Sequence, residues 1–143
     1  MSVPIFLASL ISLVNSDVAP QKQIDRDVKD LEQATLSYVA SVGTVKEAAA
    51  RKLAATKRQL VASHGRPAIK PLMKLLTHKQ VNVRRGVAIT LMYSVEKHGI
   101  DDEKLLDTVL RRMIEDPDIK CRSNLYHVVN AIVANIKKRH RPD

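Results

Sequence analysis

The sequence is poor in aromatic residues, which make up only 3% of its 143 positions: one Phe, three Tyr and no Trp. Proteins that bind single-stranded nucleic acid stack successive bases on aromatic side chains. With so few aromatic rings, this chain is poorly supplied for such a stacking surface. Any binding of nucleic acid is therefore expected to involve a duplex rather than a single strand.

Cysteine and glycine are also scarce. The single cysteine, Cys121, excludes an internal disulfide and a cysteine-rich zinc site. Its position near the start of a predicted helix favours a buried, small apolar side chain over a reactive thiol. The 4 glycines form no phosphate-binding loop and no Gly-x-Ser-x-Gly elbow.

The histidines do not form a recognisable metal or catalytic motif. All 5 are far apart in the sequence, and none belongs to a His-Glu-x-x-His arrangement. The carboxylates Asp101, Asp102 and Glu103 do cluster, but at a helix start, where they satisfy free backbone N–H groups. We therefore expect no enzymatic activity, no catalytic residue, no metal and no cofactor.

Positive charge is abundant. Lys and Arg total 24 against 15 Asp and Glu, which gives a formal net charge of +9. This imbalance favours an acidic partner: nucleic acid, an anionic membrane or an acidic protein surface. Charge alone does not choose among these three.

A helix, a short polar turn and a second helix occur twice between Arg66 and Ile136, with similar hydrophobic spacing. The period is about 36 to 38 residues, which is typical of helical repeat proteins. The repeat aligns Leu72, Leu75 and Leu76 with Leu110, Met113 and Ile114, and Val83-Arg84 with Ile119-Lys120.

These hairpins resemble the HEAT-repeat and armadillo-like family, in which an apolar first helix, an Asp-Pro turn and a Val-Arg opening of the second helix recur. The segment Asp116-Pro117-Asp118-Ile119-Lys120 matches the turn, and Val83-Arg84 matches the opening. The first copy has no Asp-Pro, and Lys120 stands where the family usually has Arg. The resemblance implies a short α-solenoid and specifies fold better than function.

The whole chain is expected to form one all-α domain of about seven helices, stacked as antiparallel hairpins. Residues 1–65 would be divergent N-terminal helices, residues 66–136 the two clear HEAT-like hairpins, and residues 137–143 a basic tail. Within the first part, Asn15-Ser16-Asp17 is expected to be a turn between two helices. Gly43 would end the second of these, and Thr44 with Glu47 would cap the next.

The apolar run at residues 3–14 allows two interpretations, which the sequence leaves open. The run is too short to span a bilayer as a helix, which needs about 20 apolar residues. As a packed helix it suits a cytoplasmic or nuclear protein, and an exposed first helix could support homodimerisation. As part of a signal peptide covering residues 1–16 it implies secretion, although no Lys or Arg precedes it.

Basic residues are the main surface signal. Arg66, Lys70 and Lys74 recur every four residues and so share one helix face. If the hairpins stack, further cations near their turns would line up along one edge and could bind a partner. The alternative is that these cations form a solvated face that only favours solubility. Arg84 is set apart, because the matching HEAT position usually contacts the repeat turn. The candidate residues are Arg66, Lys70, Lys74, Arg85, Tyr93, Arg111, Arg112, Lys120, Arg122, His127 and Asn130.

The function expected from these features is a non-enzymatic binding or scaffold module that holds an acidic protein partner. Arg85, Tyr93, His127 and Asn130 lie off the apolar stripe of the second helices and would face that partner. The alternative is a protein that binds the backbone of duplex nucleic acid. Some HEAT-like proteins are DNA glycosylases, but the absence of tryptophan argues against a pocket for a damaged base.

Overall fold

The computed structural model describes the backbone of residues 5–142 and the side chains of residues 20–142, and this part of the chain is all helical. Short connections join consecutive helices, as the alternation of apolar-periodic segments and polar turns predicts. The helices are α1 (Ile5–Ala40), α2 (Gly43–Ser63), α3 (Arg66–Leu75), α4 (Val81–His98), α5 (Glu103–Glu115) and α6 (Ile119–Arg139).

The first helix corrects the expected helix count. Residues 15–17 do not form a turn but lie inside the 36-residue helix α1, so the described part has six helices rather than about seven. Asn, Ser and Asp each cost less than about 1 kcal/mol in a helix interior, too little to end a helix without a glycine or a cap. The predicted burial of residues 3–14 lies outside the described side chains. No helix in the described part of the chain is long and apolar enough to cross a membrane.

Most helix ends follow local sequence signals. Gly99 ends α4 with a φ of 58°, a conformation that favours glycine. Asp102 caps α5 by accepting hydrogen bonds from the backbone N–H groups of Lys104 and Leu105. Gly43, which was predicted to end the preceding helix, is instead the first residue of α2 and has a φ of 60°. Thr44 forms no capping box, and α2 begins without a side-chain cap.

The core lies where α4 packs against its neighbours. α4 contacts α1, α2, α3 and α6, while α5 packs on α6, and α1 packs on α2 and α3. Each fully buried Leu or Ile contributes roughly 1.5–3 kcal/mol relative to an exposed position. Every helix except α5 contributes at least one such side chain, and α5 contributes the fully buried Val109 instead. The fully buried Leu and Ile side chains in the helices are Leu31, Leu60, Leu72, Leu91, Leu125 and Ile132.

Burial shifts the predicted repeat alignment by one residue in the first helices. Leu76 is 2% exposed, whereas Ile114, its expected equivalent, is 76% exposed. Leu72 instead corresponds to Val109, since both are 0% exposed. The N-caps of the first helices α3 and α5 are Gly65 and Asp102, so the repeat offset there is 37 residues. The N-caps of the second helices α4 and α6 are Gln80 and Asp118, which gives an offset one residue longer. The second hairpin therefore has one residue more than the first between the starts of its two helices.

Arg84 joins the turns of the two hairpins. Its guanidinium donates to both carboxylate oxygens of Asp116, at 2.8 and 3.3 Å, and to the carbonyl of His78 at 2.8 Å. Arg122, 38 residues later, likewise donates to a turn carbonyl six residues before it, that of Asp116, at 2.9 Å. The two arginines therefore hold their own turns in the same way, so Arg84 corresponds to Arg122 and not, as predicted, to Lys120.

Arg85 forms a second pair across the same junction. Its Nε donates to Asp118 at 2.8 Å, and Asp118 also caps α6 by accepting from the Cys121 N–H at 2.7 Å. The Arg85 guanidinium holds the pKa of Asp118 well below its usual range. Burial alone would raise the pKa of Asp116, but hydrogen bonds from Arg84 and the Asp118 N–H lower it instead.

These carboxylates make stability sensitive to acid. A carboxyl whose folded pKa is lower than its unfolded value contributes stability that is present above the unfolded pKa and lost as pH falls toward the folded one. We expect the urea midpoint to be flat near neutral pH and to fall steadily below about pH 4. In Asp118→Asn the urea midpoint should fall less steeply below about pH 4. Asp107→Asn changes an exposed position on α5, and its urea midpoint should fall with the same slope as in the wild type. Equal slopes in all three proteins would contradict the assignment.

Candidate functional site

A cleft of about 900 Å³ lies between α2 and α4. Ligand-binding clefts typically measure about 300–1,000 Å³, so this one has room for several side chains of a bound segment. Its walls combine apolar side chains with charged ones. The lining residues are Ala54, Lys57, Arg58, Val61 and Ala62 from α2, and Ile89, Tyr93, Glu96 and Lys97 from α4.

The cleft exists because α2 carries small residues on the side that faces α4. Ala54 and Ala62 end at Cβ and leave open volume beside the larger side chains of α4. Leu60 is 0% exposed and anchors α2 to the core. Lys57, three residues before it, lies about 60° away around the helix axis, at the edge of the buried face.

Of the two residues of α4 that were predicted to face a partner, Tyr93 lines the cleft and Arg85 does not. Tyr93 is 52% exposed, whereas Leu91 and Val95 on the opposite side of the helix are fully buried. A half-exposed tyrosine offers a large rigid contact surface at low entropic cost, and such residues are enriched at protein interfaces. Together with Ile89 it forms the apolar wall of the cleft.

Lys57 reaches across the cleft floor toward α4. Its Cε and Nζ each lie 3.9 Å from the point where a Cβ on Gly86 would be. Burial lowers the pKa of Lys57, because removing the ammonium from water disfavours its charged form. Among residues 20–142, no carboxylate oxygen lies within ion-pair distance of it.

The rim of the cleft is predominantly cationic. Arg58 and Lys97 are exposed on opposite walls, and Glu96 is the carboxylate among the lining residues. With Lys57 at the floor, three cations face one anion. The cleft therefore combines an apolar wall with a positive field, which suits a segment carrying both apolar and acidic side chains.

The predicted candidates on α6 lie outside this cleft. His127 and Asn130 are exposed, and the His127 ring packs edge-on against Tyr126 with ring centroids 5.9 Å apart. Tyr126 is 53% exposed, about as much as Tyr93. These residues form a separate exposed surface at the last helix.

A second groove, of about 340 Å³, lies between α3 and the start of α5. Arg66 and Lys70 line its α3 side, and Lys104 lines its α5 side. Lys74 is exposed one turn further along α3. Arg66 is already paired with Asp101 at 2.8 Å, so part of its charge is compensated within the fold.

The cations near the turns differ in availability. The side chain of Arg85 is held by Asp118, as described above, so a partner would have to displace that carboxylate. Arg112 forms an exposed pair with Glu115 at 3.5 Å. Arg122 is half-buried beside the turn, whereas Arg111 and Lys120 are exposed.

Sequence reasoning did not single out Lys57 or Ile89, although one signal was present. Gly86 lies within a helical segment, where glycine costs about 1 kcal/mol relative to alanine. Such a glycine indicates close approach by another group, and here the side chains nearest to its Cβ position are Thr35 at 3.7 Å and Lys57 at 3.9 Å.

No group of three or more His, Cys, Asp or Glu side chains among the described residues could hold a metal ion. Cys121 is buried, and burial raises the pKa of its thiol to about 12, which disfavours the reactive thiolate. No protein-family model, curated protein or solved structure matches this chain.

Proposed function

We propose that this protein is a non-enzymatic binding module, built as a short HEAT-like α-solenoid, that holds an acidic protein segment in the cleft between α2 and α4. The observation that carries the proposal is the composition of that cleft: an apolar wall of Ile89 and Tyr93 beside three cations and one carboxylate. Apolar contacts would supply affinity, while the positive rim would attract acidic partners and repel basic ones.

The solenoid part of the proposal is supported by the contacts between helices. The second helices α2, α4 and α6 pack in that order, and each hairpin pairs a first helix with the second helix that follows it. The equivalent hydrogen bonds of Arg84 and Arg122 to their own turns support a common repeat unit. In such an architecture the second helices form a continuous surface that is suited to an extended partner.

The test is selection of binders from a random library of displayed 12-residue peptides. We expect the enriched peptides to combine apolar with acidic residues, and Tyr93→Ala to weaken their binding at least tenfold. Tyr126→Ala is the matched control, because Tyr126 has nearly the same exposure, 53% against 52%, but lies on α6 outside the cleft. Failure to enrich any peptide, or equal losses in the two variants, would refute the proposal.

A second candidate function is binding to the backbone of duplex nucleic acid. The observation that favours it is the α3–α5 groove, which has Arg66 and Lys70 on one side and Lys104 on the other. Phosphate contacts would make the affinity fall with salt, with a slope of about 0.9 per phosphate. A labelled DNA duplex that does not bind at about 50 mM salt would exclude this candidate.

A further inference from the structure

We infer that Lys57 is the anchor for a carboxylate of the bound segment, so that the α2–α4 cleft selects an acidic side chain with an apolar neighbour. The inference rests on the proposed function and specifies its partner chemistry. It begins from the position of the ammonium group, which lies between α2 and α4 at the floor of the cleft, 3.9 Å from the Cβ position of Gly86.

Gly86 lies beside this position. A Cβ there would be in ordinary van der Waals contact with Lys57 Nζ at 3.9 Å and with Thr35 Oγ1 on α1 at 3.7 Å. Thr35 already donates its hydroxyl hydrogen to the Leu31 carbonyl at 2.8 Å. Among the described side chains, residues 20–142, no carboxylate lies within ion-pair distance of the ammonium.

A half-buried ammonium without a counter-ion is unfavourable, because it has lost part of its hydration without gaining a partner. An incoming carboxylate would recover that loss while remaining partly shielded from water and salt. Pairs in such positions contribute more than exposed pairs, which contribute little. Lys57 should therefore dominate over the exposed rim cations Arg58 and Lys97.

The neighbours of Lys57 define the rest of the recognised feature. Val61 and Ile89 line the same cleft, so an apolar side chain of the partner would be buried next to its carboxylate. Glu96, toward the other end of α4, would disfavour a second carboxylate at that end. The cleft thus fits an acidic residue flanked by apolar residues better than a uniformly acidic segment.

The experiment uses the full chain and the tightest peptide from the displayed library, synthesised with each Asp or Glu changed in turn to Asn or Gln. Lys57→Met removes the ammonium but keeps an unbranched side chain, and Lys97→Met is the matched control on the rim of the same cleft. We expect Lys57→Met to weaken binding at least tenfold and Lys97→Met to weaken it less than threefold. One of the peptide substitutions should weaken binding to the wild-type protein tenfold and leave binding to the Lys57→Met variant unchanged.

The inference would be overturned if the two lysine variants weakened binding equally. It would also be overturned if every peptide substitution weakened binding to Lys57→Met as much as it weakens binding to the wild type. A peptide that depends on Tyr93 but not on Lys57 would overturn it while leaving the proposed function intact. Thermal unfolding distinguishes lost binding from lost folding. We expect Lys57→Met to unfold at the wild-type temperature or above, since it removes an unpaired half-buried charge.

Discussion

Replacing Arg84 with alanine is expected to lower the free energy of unfolding by about 3–5 kcal/mol, because the change leaves a buried carboxylate without its partner. The side chains of Arg84 and Asp116 are only 12% and 6% exposed. Arg84 also donates to the carbonyls of His78 and Lys79. Its loss would therefore leave both a charge and part of a turn unsatisfied.

Urea unfolding followed by circular dichroism measures this difference. Arg112→Ala is the control, since the pair of Arg112 with Glu115 is exposed, at 39% and 52%, and 3.5 Å long. We expect its effect to stay within about 1 kcal/mol. Arg84→Lys should be intermediate, because an ammonium keeps the charge but cannot donate to both carboxylate oxygens in the same fork geometry. If Arg84→Ala and Arg112→Ala cost the same, the buried pair does not hold the two turns together.

Much of the C-terminal half could be predicted from local sequence signals. Gly99 and Asp102 mark helix ends through their own backbone and side-chain chemistry. The burial of Cys121 was predicted from its place near the start of a helix and is confirmed. Such features depend on residues within one or two helical turns, so a single sequence contains the required information.

Features that depend on packing across the chain were harder to predict. Val45 lies on the apolar stripe of its helix but is 65% exposed, and along α2 Leu60 alone is buried. Arg85 and Lys120 look alike in sequence, yet Arg85 is paired with Asp118 and Lys120 is exposed. Which cation meets a carboxylate is decided by the distance between helices, which hydrophobic periodicity does not encode.

The candidate cleft shows the same division. Tyr93 was selected from sequence because it lies off the apolar stripe of its helix, and it does line the cleft. Lys57 lies off the apolar stripe of α2, and a lysine at such a position is usually solvated. Its half-buried position beside Gly86 depends on how α1, α2 and α4 pack together, which the sequence of α2 alone does not show.

Leu60→Ala is expected to release α2 from the rest of the domain before the other helices unfold. Leu60 is the single fully buried residue of α2, whereas α4 has eight buried residues. Truncating a buried leucine to alanine costs about 2–5 kcal/mol. Because α2 has no other anchor of this kind, most of that loss should appear as local opening of α2 rather than as global unfolding.

Hydrogen exchange resolved by helix tests this expectation. Amides of α2 should exchange at least about 30-fold faster in Leu60→Ala than in the wild type, while those of α4 and α6 change much less. Leu125→Ala is the control: it makes the same truncation at a 1% exposed site in α6 and should weaken protection across all helices. Equal acceleration of α2 and α4 in Leu60→Ala would contradict a separately opening α2. Since α2 forms one wall of the proposed binding cleft, a bound segment that contacts both walls should slow the same amides.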